Sequence, residues 1–194
     1  SLIGVGAAAV DFQMGTRRMP MAKPAAQAPR DSAPEYTSEE IAAIAAYVAS
    51  LGAGPAVPAE KQYTPAGLTE EQIARGGDLF KTNCSACHNF EGAGGALPSG
   101  AYAPSLTDVS SKHIYEALRT GPQQMPVFSS GALPDEDVRE IVGYLSTLKQ
   151  EPNHGGLALG GIGPVAEGFW GWILGIGSLV LVAMWLAKRG ARAR

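Results

Sequence analysis

Apolar residues recur along this chain at the spacing of helices. From Pro134 to Lys149, Val138, Ile141, Val142, Leu145 and Leu148 fall on one face, Tyr144 sits on or beside it, and charged residues fill the remainder. Ile41, Ile44, Val48 and Leu51 form a second stripe of the same kind, with Tyr47 in company. A third helix opens at Leu68-Thr69-Glu70-Glu71-Gln72, where Thr69 suits the N-cap and Gln72 the capping-box position. A short helix is expected from about Ser110 to Arg119. The pattern therefore predicts an all-α chain.

The longest apolar run, Gly168 to Ala187, is uncharged and about the length that crosses a hydrocarbon core. Trp170 and Trp172 stand at one end and Trp185 near the other, as an aromatic belt would. Lys188, Arg189, Arg192 and Arg194 follow at once, and a basic flank of this kind places the C-terminus in the cytoplasm and everything before Gly168 on the outer face. Gly171, Gly175 and Gly177 line part of the run and suit close packing against another membrane helix.

Glycine and proline, 25 and 14 residues, divide the rest. The expected organisation is a helical unit over 1–51, a linker over 52–67, a second unit over 68–150, a Gly-rich linker over 151–167, a membrane helix over 168–187 and a basic tail over 188–194. The net charge of −3 argues against nucleic acid as a partner. Without the four basic residues of the tail the remainder carries about −7, an acidic body that is either a solvated surface or a means of steering a partner.

The first unit reads as the back half of the second. Glu39, Ile41, Ile44, Tyr47, Val48 and Leu51 align with Glu136, Val138, Ile141, Tyr144, Leu145 and Leu148 at a constant offset of 97. Arg17-Arg18-Met19-Pro20 matches Gln123-Gln124-Met125-Pro126 in its Met-Pro pair and in the glycine before it, and Ser1-Leu2 matches Ser105-Leu106. Three features in one order point to a repeated domain, so the native polypeptide is expected to extend upstream of Ser1.

Chemistry enters at Cys84-Ser85-Ala86-Cys87-His88. This is C-x-x-C-H, the attachment signature of a c-type haem: two thiols form thioethers with the vinyl groups and the imidazole ligates the iron. A structural zinc site needs four N/S ligands, yet these are the chain's two cysteines. A thioredoxin-like pair needs a βαβ setting, and a plain disulfide leaves His88 without a role.

Met125 is the sole methionine from 68 to 150 and stands in a loop well after the motif, which makes it the expected second axial ligand. His113 is the rival, read as a surface residue of its helix; His154 is read as facing solvent or a partner. By the repeat, Met19 is the matching ligand of a first haem, with Leu2 and Ile3 as its haem contacts. Met14 and Met21 lie close but lack the Met-Pro context.

With these motifs in hand, the chain resembles the dihaem cytochrome c subunit (cytochrome cc) of actinobacterial cytochrome bcc complexes. The resemblance is carried by GGDLFKTNCSACHNF, the TGPQQMP loop and GGLALGGIGP before the C-terminal helix. It implies class I cytochrome c domains, one complete and one truncated. There, a glycine in the place of Gly76 lets the C-terminal helix cross closely, with Phe80 and Tyr144 expected beside it, and Pro104 offers its carbonyl to the proximal imidazole. Tyr102 and Leu106 join the haem pocket. The resemblance further implies a second haem c on an N-terminal part carrying its own C-x-x-C-H. It also implies electron flow from a Rieske iron–sulfur protein, beside a cytochrome b subunit, to a haem–copper oxidase at the cell membrane.

Three other functions compete. One is the cytochrome subunit of another membrane dehydrogenase or oxidase. Another is a dihaem peroxidase, which needs an open coordination position that Met125 would close. The third is a structural anchor with a vestigial haem.

Overall fold

The computed structural model describes residues 1–30, 33–150 and 159–192; His154 and Arg194 lie outside them. Helices dominate: α1 (Ala7–Gly15), α2 (Ser38–Ser50), α3 (Glu70–Asn83), the single turn α4 (Ser85–His88), α5 (Ser111–Thr120), α6 (Asp135–Gln150) and α7 (Pro164–Arg192). Between α4 and α5, a two-residue antiparallel pair, β1 (Gly95–Ala96) and β2 (Tyr102–Ala103), pins the intervening loop.

Helix α3 begins where the capping box requires. The Thr69 hydroxyl accepts from the Gln72 amide while the Gln72 side chain accepts from the Thr69 amide, so two N–H groups that no helix turn can satisfy are paired. Thr37 and Glu40 build the same device at the start of α2. Helix α3 then crosses α6 closely at Gly76. A Cβ there would lie 2.0 Å from the Glu140 carbonyl oxygen, so the two backbones touch where only glycine leaves room. Tyr144 stacks at 5.7 Å from the Phe80 ring and covers Gly77 rather than Gly76, whose place is filled by the Glu140 backbone. Phe80, Val138, Ile141, Val142, Leu145, Ile114 and Leu118 form the core beneath. Arg75 ties the crossing at its rim by pairing with Asp137 at 2.7 Å and with Glu140.

Residues 52–67 are docked rather than free. A 3-10 turn, Glu60–Gln62, brings the Gln62 amide to the Tyr115 hydroxyl (3.0 Å) and the Asp135 carboxylate (2.8 Å), and Arg139 donates to the Thr64 carbonyl at 3.0 Å. Its Pro-rich composition makes it irregular, but backbone and side-chain hydrogen bonds still fix it.

The N-terminal segment packs α1 on α2, and α1 also lies against α5. This corrects the expectation that His113 is a surface residue: its ring meets Phe12 edge-on at 6.1 Å and abuts Gly15. Beside it, Lys112 Nζ sits 2.6 Å from Asp11 and 3.9 Å from the fully buried Glu116. Burial, followed by the facing Asp11 carboxylate, pushes the Glu116 carboxyl up to about 9, against the opposing pull of Lys112. Glu116 is thus neutral when folded at pH 7 and ionised when unfolded, so its contribution to stability is present below pH 4.5 and lost as pH rises toward 9. Glu116→Gln is expected to flatten that slope and to stabilise the protein at neutral pH by roughly 1–3 kcal/mol, since each unit is worth about 1.4 kcal/mol. Denaturant midpoints measured from pH 5 to pH 9 check it, and parallel curves for both proteins would contradict it.

Helix α7 stands away from the rest. Residues Pro164–Gly190 are long and apolar enough to cross a membrane and none of their hydrophobic window is buried. The helix runs beyond the expected 168–187 at both ends because Pro164 is accepted in a first turn and Lys188 and Arg189 are good helix formers.

Candidate haem site

The Cys84 amide donates to the Phe80 carbonyl at 2.8 Å and closes α3, after which α4 carries Ser85 to His88 round one turn. Asn89, at φ +60°, breaks the turn, and its amide group clamps back on the Gly94 carbonyl. Gly94, at φ +86°, lies where a Cβ would meet the Ala103 carbonyl oxygen at 2.5 Å, so the loop closes tightly against β2. The result brings Pro104 to His88. The imidazole Nδ1–H donates to the Pro104 carbonyl at 3.0 Å. A carbonyl only accepts, which fixes the tautomer and leaves the Nε2 lone pair available to a metal. Burial, outweighing that hydrogen bond, lowers the His88 pKa, so the ring is neutral and in its ligating form at pH 7.

Met125 arrives from the other side. Gly121 ends α5 in the left-handed region, and a Cβ there would collide with the Met125 carbonyl oxygen at 2.8 Å. The Met125 amide donates to the Pro122 carbonyl at 3.1 Å, closing a turn. Arg119 staples the loop to α5 by donating to the carbonyls of Phe128 (2.9 Å) and Leu133 (2.8 Å) and pairing with Asp135 at 2.6 Å.

These elements border one cleft with two lobes. The outer lobe, about 710 Å³ of atom-free space including its mouth, is bordered by Cys84, Cys87, His88, Tyr102 and Met125. The inner lobe, about 590 Å³, is bordered by Phe80, Cys84, His88, Pro104, Leu106 and Met125. Cys84 is half-buried, and burial with the neighbouring Cys87 pushes its thiol up to about 11; Cys87 is exposed.

The residues present fit a haem. A neutral imidazole and a thioether edge the same cavity, a donor set suited to haem iron and unlike the oxygen shell of a hard cation. Two thiols stand at the rim, and the inner lobe is walled mainly by hydrocarbon.

Leu2, Ile3 and Met19 border neither lobe; they are 53%, 70% and 44% exposed. The structure instead brings in residues of the N-terminal segment that local patterns do not reveal. Phe12 and Arg18 join the inner lobe beside His113, and Ala26 and Gln27 the outer. Gln27 pairs with both backbone groups of Tyr102, at 2.7 and 2.9 Å, exactly as a neighbouring strand would bond.

Comparison with known proteins agrees with this geometry. Residues 71–145 match the family model of the cbb3-type cytochrome c oxidase subunit III. Over 97% of its length the chain is 44% identical to the cytochrome bc1 complex cytochrome c subunit of Corynebacterium diphtheriae, covering 71% of that protein. The subunits of the same name from Mycobacterium leprae (45% identical, 66% covered) and Mycobacterium tuberculosis (44%, 68%) match 97% of the chain as well. A helical haem cleft after C-x-x-C-H, an apolar C-terminal helix and identity sustained along nearly the whole sequence have one common source: the chain belongs to the family of cytochrome c subunits of the cytochrome bc1 complex, with a cytochrome c role in electron transfer.

Proposed function

We propose that residues 68–150 hold a haem c through Cys84 and Cys87, with His88 and Met125 as axial ligands. In this reading the chain relays electrons from the Rieske iron–sulfur protein of a quinol-oxidising cytochrome bc-type complex to a haem–copper oxidase in aerobic respiration. The observation that carries it is the cleft itself, where the free Nε2 of His88 and the Met125 thioether border one apolar cavity with both cysteines at its edge. When bound, the haem supplies a one-electron ferric/ferrous couple. His88 is held in one tautomer by Pro104; Phe80, Leu106 and Ile114 exclude water; the Arg119 staple holds the Met125 loop. A second haem c, ligated by Met19 and covered by Leu2 and Ile3, belongs to the same proposal on the strength of the repeat. Helix α7 anchors the chain in lipid beside the Rieske and cytochrome b subunits, with Lys188 and Arg189 on the cytoplasmic side.

The cbb3-type family match over 71–145 supports a second reading, the cytochrome subunit of an oxidase. Two measurements on the native complex decide. Pyridine haemochrome against protein mass is expected to give two c haems per chain. Rapid mixing with quinol should reduce them after the iron–sulfur centre, and blocking quinol oxidation should abolish that reduction. One haem per chain would remove the repeat. Reduction that persists when quinol oxidation is blocked would favour the oxidase subunit, and a high-spin band would favour a peroxidase.

A further inference from the structure

Among the described residues, Arg18 is the one guanidinium in the wall of the inner lobe, whose other members are mostly hydrocarbon. Its Nη1 is buried and, among the described residues, has no hydrogen-bond partner. The guanidinium carbon lies 4.9 Å from the centre of the Phe12 ring, a contact that favours the charge but accepts none of its N–H bonds. Burial, with Arg30 nearby, lowers its pKa, but arginine does not give up its proton in proteins. A buried N–H of a charged guanidinium without an acceptor is costly, and an anion in the cavity would supply that acceptor. Tyr102, Glu35, Arg17, Lys23 and Arg30 line a separate pocket that Arg18 also borders. Arg30 is already engaged with the Asp108 carbonyl at 2.5 Å, and Arg17 with that of Ala33 at 3.3 Å.

We propose that Arg18 is the counter-ion of a propionate carboxylate on the haem attached at Cys84 and Cys87. The assignment rests on the proposed function above and extends it, because the cation comes from the N-terminal segment and not from the unit that attaches the haem. A carboxylate matches the guanidinium fork and is the anionic part of a cofactor whose remaining surface suits the apolar wall. Arg18 also adjoins Met19 in sequence, so one residue lies between the two proposed haem positions. Reduction adds negative charge to the haem, and a fixed cation in a low-dielectric wall favours it. Arg18 is then a positioning residue that raises the potential of the second haem and ties its edge to the first unit.

The test uses the native subunit in its complex, with Arg18→Gln and Arg18→Lys, and titrates both haems optically. Arg18→Gln should shift the reduction equilibrium of the His88/Met125 haem about tenfold toward the oxidised form, ~59 mV for a one-electron couple. Arg18→Lys should retain most of the potential, and the other haem should move little. Haemochrome counts run in parallel: no haem at Cys84 and Cys87 in the unaltered protein would defeat the functional reading itself. Intact haems whose potentials ignore both substitutions, or a shift confined to the other haem, would overturn the assignment of Arg18. If the variants do not fold, redox-difference infrared spectra of the unaltered protein with isotope-labelled haem carboxylates decide. A carboxylate of the His88/Met125 haem paired to a guanidinium supports the proposal; both carboxylates of that haem exposed to water overturn it.

Discussion

Gly76→Ala is expected to prevent residues 68–150 from folding. The added methyl carbon would stand 2.0 Å from the Glu140 carbonyl oxygen, 2.3 Å from its carbon and 2.9 Å from the Ile141 nitrogen. All three are backbone atoms in the middle of α6, so no side chain can swing aside; the helix itself must withdraw by more than an ångström. That movement would open the packing of Phe80, Val138 and Ile141, each 1% exposed or less. Helix propensity alone predicts the reverse, a stabilisation of about 1 kcal/mol. Overpacking against rigid backbone outweighs it, at an expected 4 kcal/mol or more, a large share of a small domain's stability. Gly77→Ala is the control. Its Cβ would meet the Tyr144 ring at 3.0 Å, a side chain able to turn, and should cost far less. Covalent haem yield and thermal melts by circular dichroism measure both. A Gly76→Ala protein at least as stable as its parent would mean that α3 and α6 do not cross here.

The sequence reveals what local physics dictates. The cap at Thr69, the apolar face of α6 and the uncharged run of α7 follow from spacing and residue type alone, because each depends on neighbours within a few positions. Contacts between distant segments were not legible. Nothing in the Ala-rich start announces that Phe12 and Arg18 reach the cleft, since one aromatic in a short helix and one arginine just after it fit a surface equally well. His113 looks exposed on its own helix and is covered only because α1 lies across α5. The tethering of 52–67 depends on Tyr115 and Asp135, residues 53 and 73 positions from Gln62. One signal was available: Glu116 stands among Ile114, Ala117 and Leu118 on α5, and a carboxyl so placed must find a partner element. That partner is α1, whose Asp11 pairs with Lys112 of α5.

Met125→His is expected to keep the haem low-spin while lowering its potential by on the order of 0.1 V or more, a fraction of the roughly 0.8 V that axial ligands span. The thioether is a soft, weak donor that favours ferrous iron; imidazole donates more strongly and favours ferric. The loop should tolerate the exchange. Its shape is set by Gly121, by the Met125 amide on the Pro122 carbonyl and by the Arg119 staple, none of which involves the Met125 side chain. Met125→Ala completes the test by removing the donor altogether, and a high-spin haem open to added imidazole is then expected. The structure makes the alternative concrete. His113 borders the same inner lobe as Met125, and burial lowers its pKa against the pull of Asp11, so its ring is neutral and capable of ligation at pH 7. If Met125→Ala remained low-spin with the spectrum and potential of the parent, His113 would be the ligand and the Met-Pro loop only a lid. If it turned high-spin while His113→Ala left the spectrum unchanged, the iron would be held between His88 and Met125.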